Sequence, residues 1–185
     1  MANRVDLNQL RRVMLNNQDN NVPTPTQPAQ KVYVAPDGDI RLGNETSPLE
    51  ARRLSEVNQG TFYVYGDMRH SRDQVTASTK MPANTRALHI GNIFGYSYSI
   101  TCTYRNPYTF FAYFDGTAYQ VSLVSPNLEG QYGEHTAHLY NDGRLCLGEG
   151  GGMPTLESAY AKSVIWATGF SVVRAGGTFP FSNNH

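Results

Sequence analysis

The segment from Arg86 to Pro126 constrains the fold of this chain most, because aromatic or β-branched residues alternate in it with polar ones. Residues 96–100 read Tyr-Ser-Tyr-Ser-Ile, and residues 119–124 read Tyr-Gln-Val-Ser-Leu-Val. A period of two is typical of strands that bury one face. Asp115-Gly116 lies between two such runs and predicts a hairpin turn. We therefore predict an antiparallel β-meander, with these residues on one strand face: Tyr96, Tyr98, Ile100 and Cys102.

Residues 1–30 are predicted to form an N-terminal helix and a Pro-rich linker. The helix spans residues 6–17, where Asp6 can act as its cap and Gln9 occupies the matching position of a capping box. The linker carries the run PTPTQP and almost nothing to bury, so an extended or disordered state is expected. Two alternatives remain for the helix: it packs on the body, or it recruits a partner as a tethered peptide.

Residues 31–185 are predicted to form a single α+β domain, in which flanking helices surround the antiparallel β-meander. Residues 31–85 are an N-terminal extension, and residues 86–176 are the core. The patterns in the extension predict a hairpin at 32–42 with an Asp-Gly turn, a helix over roughly 48–58, a strand at 61–65 and a polar loop at 68–84.

Beyond Pro126 the pattern changes from strands to loops and one long helix. In chain order we predict a loop at 127–134, an extended segment at 138–140, a tight turn at Asp142-Gly143 and a Gly-rich stretch at 148–152. Thr155 begins a helix that runs to about Arg174, where Gly176-Gly177 ends it. The tail from Thr178 is expected to be loose.

The charge and hydropathy of the chain exclude some partners. Its 15 basic and 15 acidic side chains cancel, so no basic field is available to hold a nucleic-acid backbone. No apolar stretch approaches the roughly 20 residues of a membrane span. Asn, Gln and Arg interrupt the apolar positions at the start, unlike in a secretory signal. We expect a cytoplasmic protein that binds neither nucleic acid nor membrane.

The two cysteines are expected to be thiols, because disulfides are rare in the cytoplasm. Cys102 continues the apolar face of its strand and is predicted to lie in the core. Cys146 is flanked by leucines, so one interpretation makes it a small buried residue. The other makes it reactive, because the Gly-rich stretch after it leaves the backbone accessible and the helix at Thr155 can aim its positive end near the sulfur.

Residues 138–147, His-Leu-Tyr-Asn-Asp-Gly-Arg-Leu-Cys-Leu, resemble the active-site stretch of ubiquitin-conjugating enzymes. That family has His-Pro-Asn, a short hairpin turn with Gly, and then Ile or Leu before Cys-Leu. The similarity is closer to prokaryotic members, which occur beside activating-enzyme and ubiquitin-like genes. Gly143 and Leu147 match the family pattern. His138 stands where the family carries Asn, and several prokaryotic members also have His there.

Two departures from the family pattern accompany this resemblance. Thr136 and Ala137 stand where the family has His and Pro. Residues 147–185 leave room for one long helix and a tail, so the last C-terminal helices of eukaryotic members are missing. A late acidic residue that would orient an acceptor lysine is also not recognisable.

The resemblance implies a carrier of a ubiquitin-like protein, held as a thioester on Cys146. The carrier would accept this modifier from an adenylating activating enzyme and pass it to an amine. His138 would be the oxyanion donor or the base for the amine, unless it merely bonds the loop backbone. His135, Asp142 and Gly143 would support the site. In bacteria such cassettes are associated with antiviral defence.

Three other interpretations compete with this one. His135 and His138 are spaced like metal ligands, yet no second cysteine or carboxylate cluster completes a site, so neither metal nor cofactor is expected. A non-catalytic module would bury Cys146 and use the helix at 6–17 to recruit a partner. A Cys/His hydrolase would pair His138 with Cys146 across the hairpin, but it lacks an obvious residue to orient the imidazole.

Overall fold

The structure, a computed structural model, describes residues 4–16, 32–34, 40–42, 66–102, 105–148 and 151–181. In chain order it contains α1 (Leu7–Asn16), β1 (Val32–Val34), β2 (Ile40–Leu42), α2 (Gly66–Thr79), β3 (Arg86–Ile90), β4 (Ile93–Thr101), β5 (Pro107–Phe114), β6 (Tyr119–Ser125), α3 (Glu134–Ala137) and α4 (Leu156–Arg174). The class is α+β, as predicted. The helix predicted at 48–58 and the strand predicted at 61–65 lie outside the described residues. Among the helices described, none combines the length and the apolarity that a membrane span requires.

Strands β3 to β6 form one antiparallel sheet in chain order, which confirms the predicted meander. Large apolar residues face each other across it; Tyr98 of β4, for example, lies opposite Phe110 of β5. The turn between β5 and β6 begins at Asp115, whose carboxylate accepts from the N–H groups of Thr117 and Ala118 at 2.8 and 2.9 Å. The predicted turn is confirmed. Strands β1 and β2 pair antiparallel, as the hairpin prediction requires.

One face of the sheet packs against α4. The rings of Phe110 and Trp166 lie 5.9 Å apart between centroids, and those of Tyr98 and Tyr160 lie 5.2 Å apart. Each buried aromatic side chain removes about 150–250 Å² from water, which makes this interface the main core. The residues predicted to share one face all pack in it: Tyr96, Tyr98, Ile100 and Cys102.

The other face of the sheet is covered by α1. Asp6 caps this helix by accepting from the N–H of Gln9 at 3.1 Å, as predicted. Leu10 is completely buried against the sheet, and the Nε–H of Arg11 donates to the carbonyl of Val124 at 3.2 Å. The N-terminal helix therefore packs on the body of the protein, which decides between the two alternatives for it.

The prediction of a polar loop at 68–84 is wrong, because most of this segment forms α2. The helix has no stripe of large apolar residues that a periodicity argument could detect. Its buried side carries the carboxylate of Asp73, and Ala77 packs on the edge of the core. Met81, just beyond the helix, is buried in the core that α4 shares. The predicted extension thus contributes directly to that core.

The predicted start and end of α4 are confirmed. Thr155 and Ser158 form a capping box, and the helix ends at Arg174 before Gly176, whose φ is 91°. The prediction of a loose tail is wrong for residues 178–181. Phe179 is half-buried, and a Cβ added at Gly169 of α4 would lie 2.8 Å from its ring. A tail that contacts a helix this closely is docked, and the sequence pattern carries no sign of that contact.

Candidate functional site

The segment predicted to carry the chemistry folds into a short hairpin between β6 and α4. The N–H of Tyr140 donates to the carbonyl of Arg144 at 2.8 Å, and the N–H of Cys146 donates to the carbonyl of His138 at 2.9 Å. The residues between these pairs form a β-bridge. Since side chains alternate along an extended chain, residues 140, 144 and 146 share one face, while Leu145 is buried on the other.

The second arm of this hairpin extends the sheet beyond β6. The N–H of Leu145 donates to the carbonyl of Val121 at 2.8 Å. Farther along, Tyr119 and Met153 exchange two backbone hydrogen bonds of 2.8 and 2.9 Å. Between these two anchors the chain leaves the sheet edge, and Cys146 is the first residue of the departing segment. The fold thereby fixes the backbone on both sides of this cysteine.

Asp142 and Gly143 form the tight turn of the hairpin, as predicted. The N–H of Gly143 donates to the carbonyl of Tyr140 at 2.8 Å, and its φ of 77° lies in the region that glycine adopts without strain. A Cβ at this position would also collide with the side chain of Leu7 on α1. The carboxylate of Asp142 accepts from Nε of Arg144 at 2.8 Å and holds that side chain beside the turn.

His138 does not have the extended conformation predicted for residues 138–140. It ends the short helix α3 with a φ of 48°, a left-handed conformation common at helix ends. Its ring packs against that of Phe179, with 4.4 Å between centroids. Burial, and then the charge of the exposed His135, lower the pKa of His138. The imidazole is therefore neutral near neutral pH.

Trp166 of α4 fixes the position of the hairpin. Its indole N–H donates to the carbonyls of Ala137 and His138 at 2.7 and 3.1 Å. The same His138 carbonyl accepts from the N–H of Cys146. One buried indole thus ties the backbone beside Cys146 to the core of the protein.

Cys146 and Tyr140 lie on the same face of the hairpin. Cys146 is half-buried, and Tyr140 lies diagonally across the hairpin, within reach of it. Hydrogen bonding with Cys146 raises the pKa of Tyr140 most, and the negative charge of the sulfur raises it further. Arg144 lowers it. Tyr140 therefore keeps its proton and can donate a hydrogen bond to a thiolate. The guanidinium carbon of Arg144 lies 5.4 Å from the centroid of the Tyr140 ring.

Cys102 has the core environment predicted for it. It is 9% exposed, and its sulfur lies 2.8 Å from the hydroxyl of Ser171 on α4. The same hydroxyl hydrogen-bonds Tyr108 at 2.8 Å. Cys102 is therefore part of a buried polar cluster that joins the sheet to α4.

The metal and hydrolase interpretations gain no support from the residues around His138. In the described part of the chain, no group of three or more His, Cys, Asp or Glu side chains is placed to hold a metal ion. A hydrolase needs an acid to orient the imidazole. In the structure, the ring of His138 lies instead against the aromatic ring of Phe179.

The hairpin carries a partly exposed thiol, a hydroxyl donor and, at His138, a neutral imidazole that packs against Phe179. A thiolate attacks carbonyl carbons, and a hydrogen-bond donor beside it can stabilise the oxyanion that forms. This arrangement can accept an acyl group and hold it as a thioester. In comparisons with known proteins, no family model, no curated protein and no solved structure matches this chain. Its function is therefore inferred from the geometry of the site and from the motif.

Sequence reasoning missed Tyr140 and Trp166 as site residues. The signal for Tyr140 was present, because the pairing of two arms around Asp142-Gly143 puts residues 140 and 146 on one face. The register of the two arms is therefore enough to predict that Tyr140 lies beside Cys146. No local signal identifies Trp166, because its contacts with the hairpin join positions far apart in the chain.

Proposed function

We propose that this protein is a transferase similar to ubiquitin-conjugating enzymes, which carries a ubiquitin-like protein as a thioester on Cys146. The motif at residues 138–147 and the order of meander, loop, cysteine hairpin and long helix support the proposal. The observation that carries it is that the partly buried Cys146 shares one face of the hairpin with Tyr140, a hydroxyl donor whose pKa is raised by Cys146. Cys102, the other thiol, is buried in the core.

In the loading step, the Cys146 thiolate attacks the carbonyl carbon of the thioester that joins the modifier to its adenylating activating enzyme. A new carbon–sulfur bond forms, and the carbonyl oxygen becomes an oxyanion. Collapse of this intermediate expels the thiolate of the activating enzyme. Tyr140 donates its hydrogen bond first to the attacking thiolate and then to the oxyanion. One well-placed donor of this kind is worth about 10²–10³ in rate.

In the discharge step, an acceptor amine attacks the thioester on Cys146. The amine nitrogen loses a proton to the imidazole of His138, the carbon–sulfur bond breaks and Cys146 leaves as a thiolate. The lowered pKa of His138 supports the role of base, because a neutral imidazole can take up that proton. Of the two catalytic roles considered for His138, we assign it that of the base and give oxyanion stabilisation to Tyr140.

The supporting residues act on the shape of the hairpin. Gly143 permits the turn, Asp142 holds Arg144, and Arg144 lies over the ring of Tyr140. His135 acts through its charge on His138. On the resemblance alone, we place this activity in the bacterial cytoplasm, in conjugation cassettes associated with antiviral defence.

A non-catalytic interaction module is the alternative to this proposal. It requires a buried Cys146 and an N-terminal helix whose apolar side is open to a partner. In the structure Cys146 is only partly buried, and Leu10 of α1 is completely buried against the sheet. Both observations favour the carrier.

The proposal is tested by incubating the protein with the activating enzyme of its cassette, the modifier and ATP. We expect a band of higher mass that reducing agent removes, in the wild type and in the matched control Cys102→Ala. Cys146→Ala should give no band, and Cys146→Ser should give an oxyester band that resists reduction. If the activating enzyme carries its own modifier thioester and the wild type still shows no band, the proposal is wrong.

A further inference from the structure

A cavity of about 400 Å³ lies between α2 and the ends of β4, β5 and β6. Its volume falls within the roughly 300–1,000 Å³ that is typical of small-molecule sites. None of the residues assigned to the thioester chemistry lines it. It is therefore a separate site, and its lining decides what it can bind.

Aromatic rings form the walls of this cavity. Phe94 and Tyr96 pack edge to face with centroids 5.3 Å apart, and the ring of His70 lies 5.3 Å from that of Phe94. Phe114 and Tyr119 pack at the same centroid distance. Of these rings, those of Phe94 and Phe114 are only half-buried, so part of each is open to a planar ligand.

A buried carboxylate, that of Asp73, lines the cavity. Asp73 is 7% exposed, and both of its oxygens accept from the hydroxyl of Tyr119, at 2.7 and 2.8 Å. A carboxylate offers about four acceptor positions, so acceptors remain for N–H groups of a ligand. Burial is the largest influence on the pKa of Asp73 and raises it. The hydrogen bond from Tyr119 and the charge of Arg69 lower this pKa by smaller amounts. A ligand that donates N–H groups would offset the cost of burying the charge.

A guanidinium and an imidazole also line the cavity. Arg69 and His70 both come from the first turns of α2 and both line the cavity. The guanidinium carbon of Arg69 lies 4.1 Å from the centroid of the Phe114 ring. A guanidinium fixed on an aromatic ring presents its N–H groups in one plane, a geometry that matches phosphate oxygens.

We infer that this cavity binds a purine mononucleotide. The aromatic walls take the base, the carboxylate of Asp73 accepts from the ring N–H groups, and Arg69 with His70 takes the phosphate. Guanine suits this carboxylate better than adenine, because guanine presents two neighbouring N–H donors on one edge. The inference does not rest on the proposed thioester chemistry, since the two sites share no residue.

The test is a calorimetric titration of the full chain with guanosine 5′-monophosphate, with guanosine and with inorganic phosphate. We expect saturable binding of the nucleotide at one site and binding of guanosine that is about tenfold weaker, because the charged contacts of the phosphate are lost. Arg69→Gln should reduce the affinity for the nucleotide to that for guanosine. Asp73→Asn should weaken both ligands. Arg86→Gln, an exposed change on β3, is the matched control and should alter neither.

The location is checked by amide resonances of the two cavity glycines, Gly95 and Gly116, which should shift on titration. Absence of saturable nucleotide binding overturns the inference, as does unchanged binding by Arg69→Gln. Arg69 is only half-buried, so we expect Arg69→Gln to fold. The nucleotide affinity of Arg69→Gln therefore tests the inference even if Asp73→Asn does not fold. Cys146→Ala should bind the nucleotide like the wild type, which separates this result from the outcome of the thioester test.

Discussion

Cys102 and Cys146 are the same residue type, and the fold gives them opposite environments. Cys102 continues the buried face of β4, where its sulfur contacts Ser171 of α4. Cys146 follows a turn at the sheet edge, is half-buried and shares a hairpin face with Tyr140. Strand register buries one thiol, and hairpin register brings a donor to the other. The comparison teaches that position in the fold, more than the flanking leucines, decides how far a thiol is exposed.

The largest expected difference between the two cysteines is in their alkylation rates. We compare iodoacetamide labelling of native Cys102→Ala, which retains Cys146, with that of native Cys146→Ala, which retains Cys102. Cys146 should react about 10²-fold faster or more, because Cys102 requires local opening of the core before reagent can reach it. In denaturant the two rates should converge. Equal alkylation rates in the two native variants would show that the two thiols are equally accessible, which would contradict this prediction.

The next effect concerns the hydroxyl of Tyr140. Tyr140→Phe keeps the ring and removes the donor, so the rate of thioester formation on Cys146 should fall by about 10²-fold. The measurement is a single-turnover loading assay with saturating charged activating enzyme. Tyr132→Phe removes a hydroxyl from an exposed tyrosine and should load at the wild-type rate. Loading by Tyr140→Phe at that rate would take Tyr140 out of the mechanism.

A smaller effect, on the free energy of unfolding, is expected from Trp166, which anchors the hairpin of Cys146, and from Ser171, which contacts Cys102. Trp166→Phe removes the N–H that bonds the carbonyls of Ala137 and His138, and should lower the free energy of unfolding by about 1–3 kcal/mol. Ser171→Ala makes the corresponding change beside Cys102 and should cost a similar amount. Urea denaturation measures both. Loading of Cys146 should slow in Trp166→Phe alone; equal slowing in both variants would argue for a general loss of stability.

The smallest effect is a pH dependence of stability from His138. Its pKa is lowered in the folded state, so the unfolded state binds the proton more readily. This group therefore contributes stability above its unfolded pKa, and the contribution is lost as the pH falls through and below that value. Between about pH 7.5 and pH 5.5, the urea midpoint should fall slightly more in the wild type than in His138→Gln. Identical pH profiles would show that His138 has the same pKa folded and unfolded.

The elements that the sequence predicted well are those whose signals are local. Alternation in residues 86–126 identified the meander, and Thr155 with Gly176-Gly177 marked the ends of α4. The turn at Asp142-Gly143 followed from its residue types. In each case the physical cause lies within a few residues of the feature it predicts.

The errors occur where distant contacts override local pattern. Helix α2 buries Asp73 through a hydrogen bond to Tyr119 of β6, which no apolar periodicity reveals. The tail is docked because Phe179 meets α4 and the ring of His138. His138 adopts its left-handed conformation because a helical turn ends there. The sequence thus located the hairpin and its cysteine, while the partners of that cysteine required the tertiary structure.

The acyl-acceptor role of Cys146 is tested most directly by a reaction that needs no other protein. The native chain is mixed with a synthetic peptide thioester, quenched in acid and digested, and each cysteine is examined by mass spectrometry. The account predicts that the peptide is found as a thioester on the fragment with Cys146, that the fragment with Cys102 is unmodified, and that Tyr140→Phe acquires the peptide more slowly. Equal modification of both cysteines, or an unmodified Cys146 beside intact peptide thioester, would contradict it.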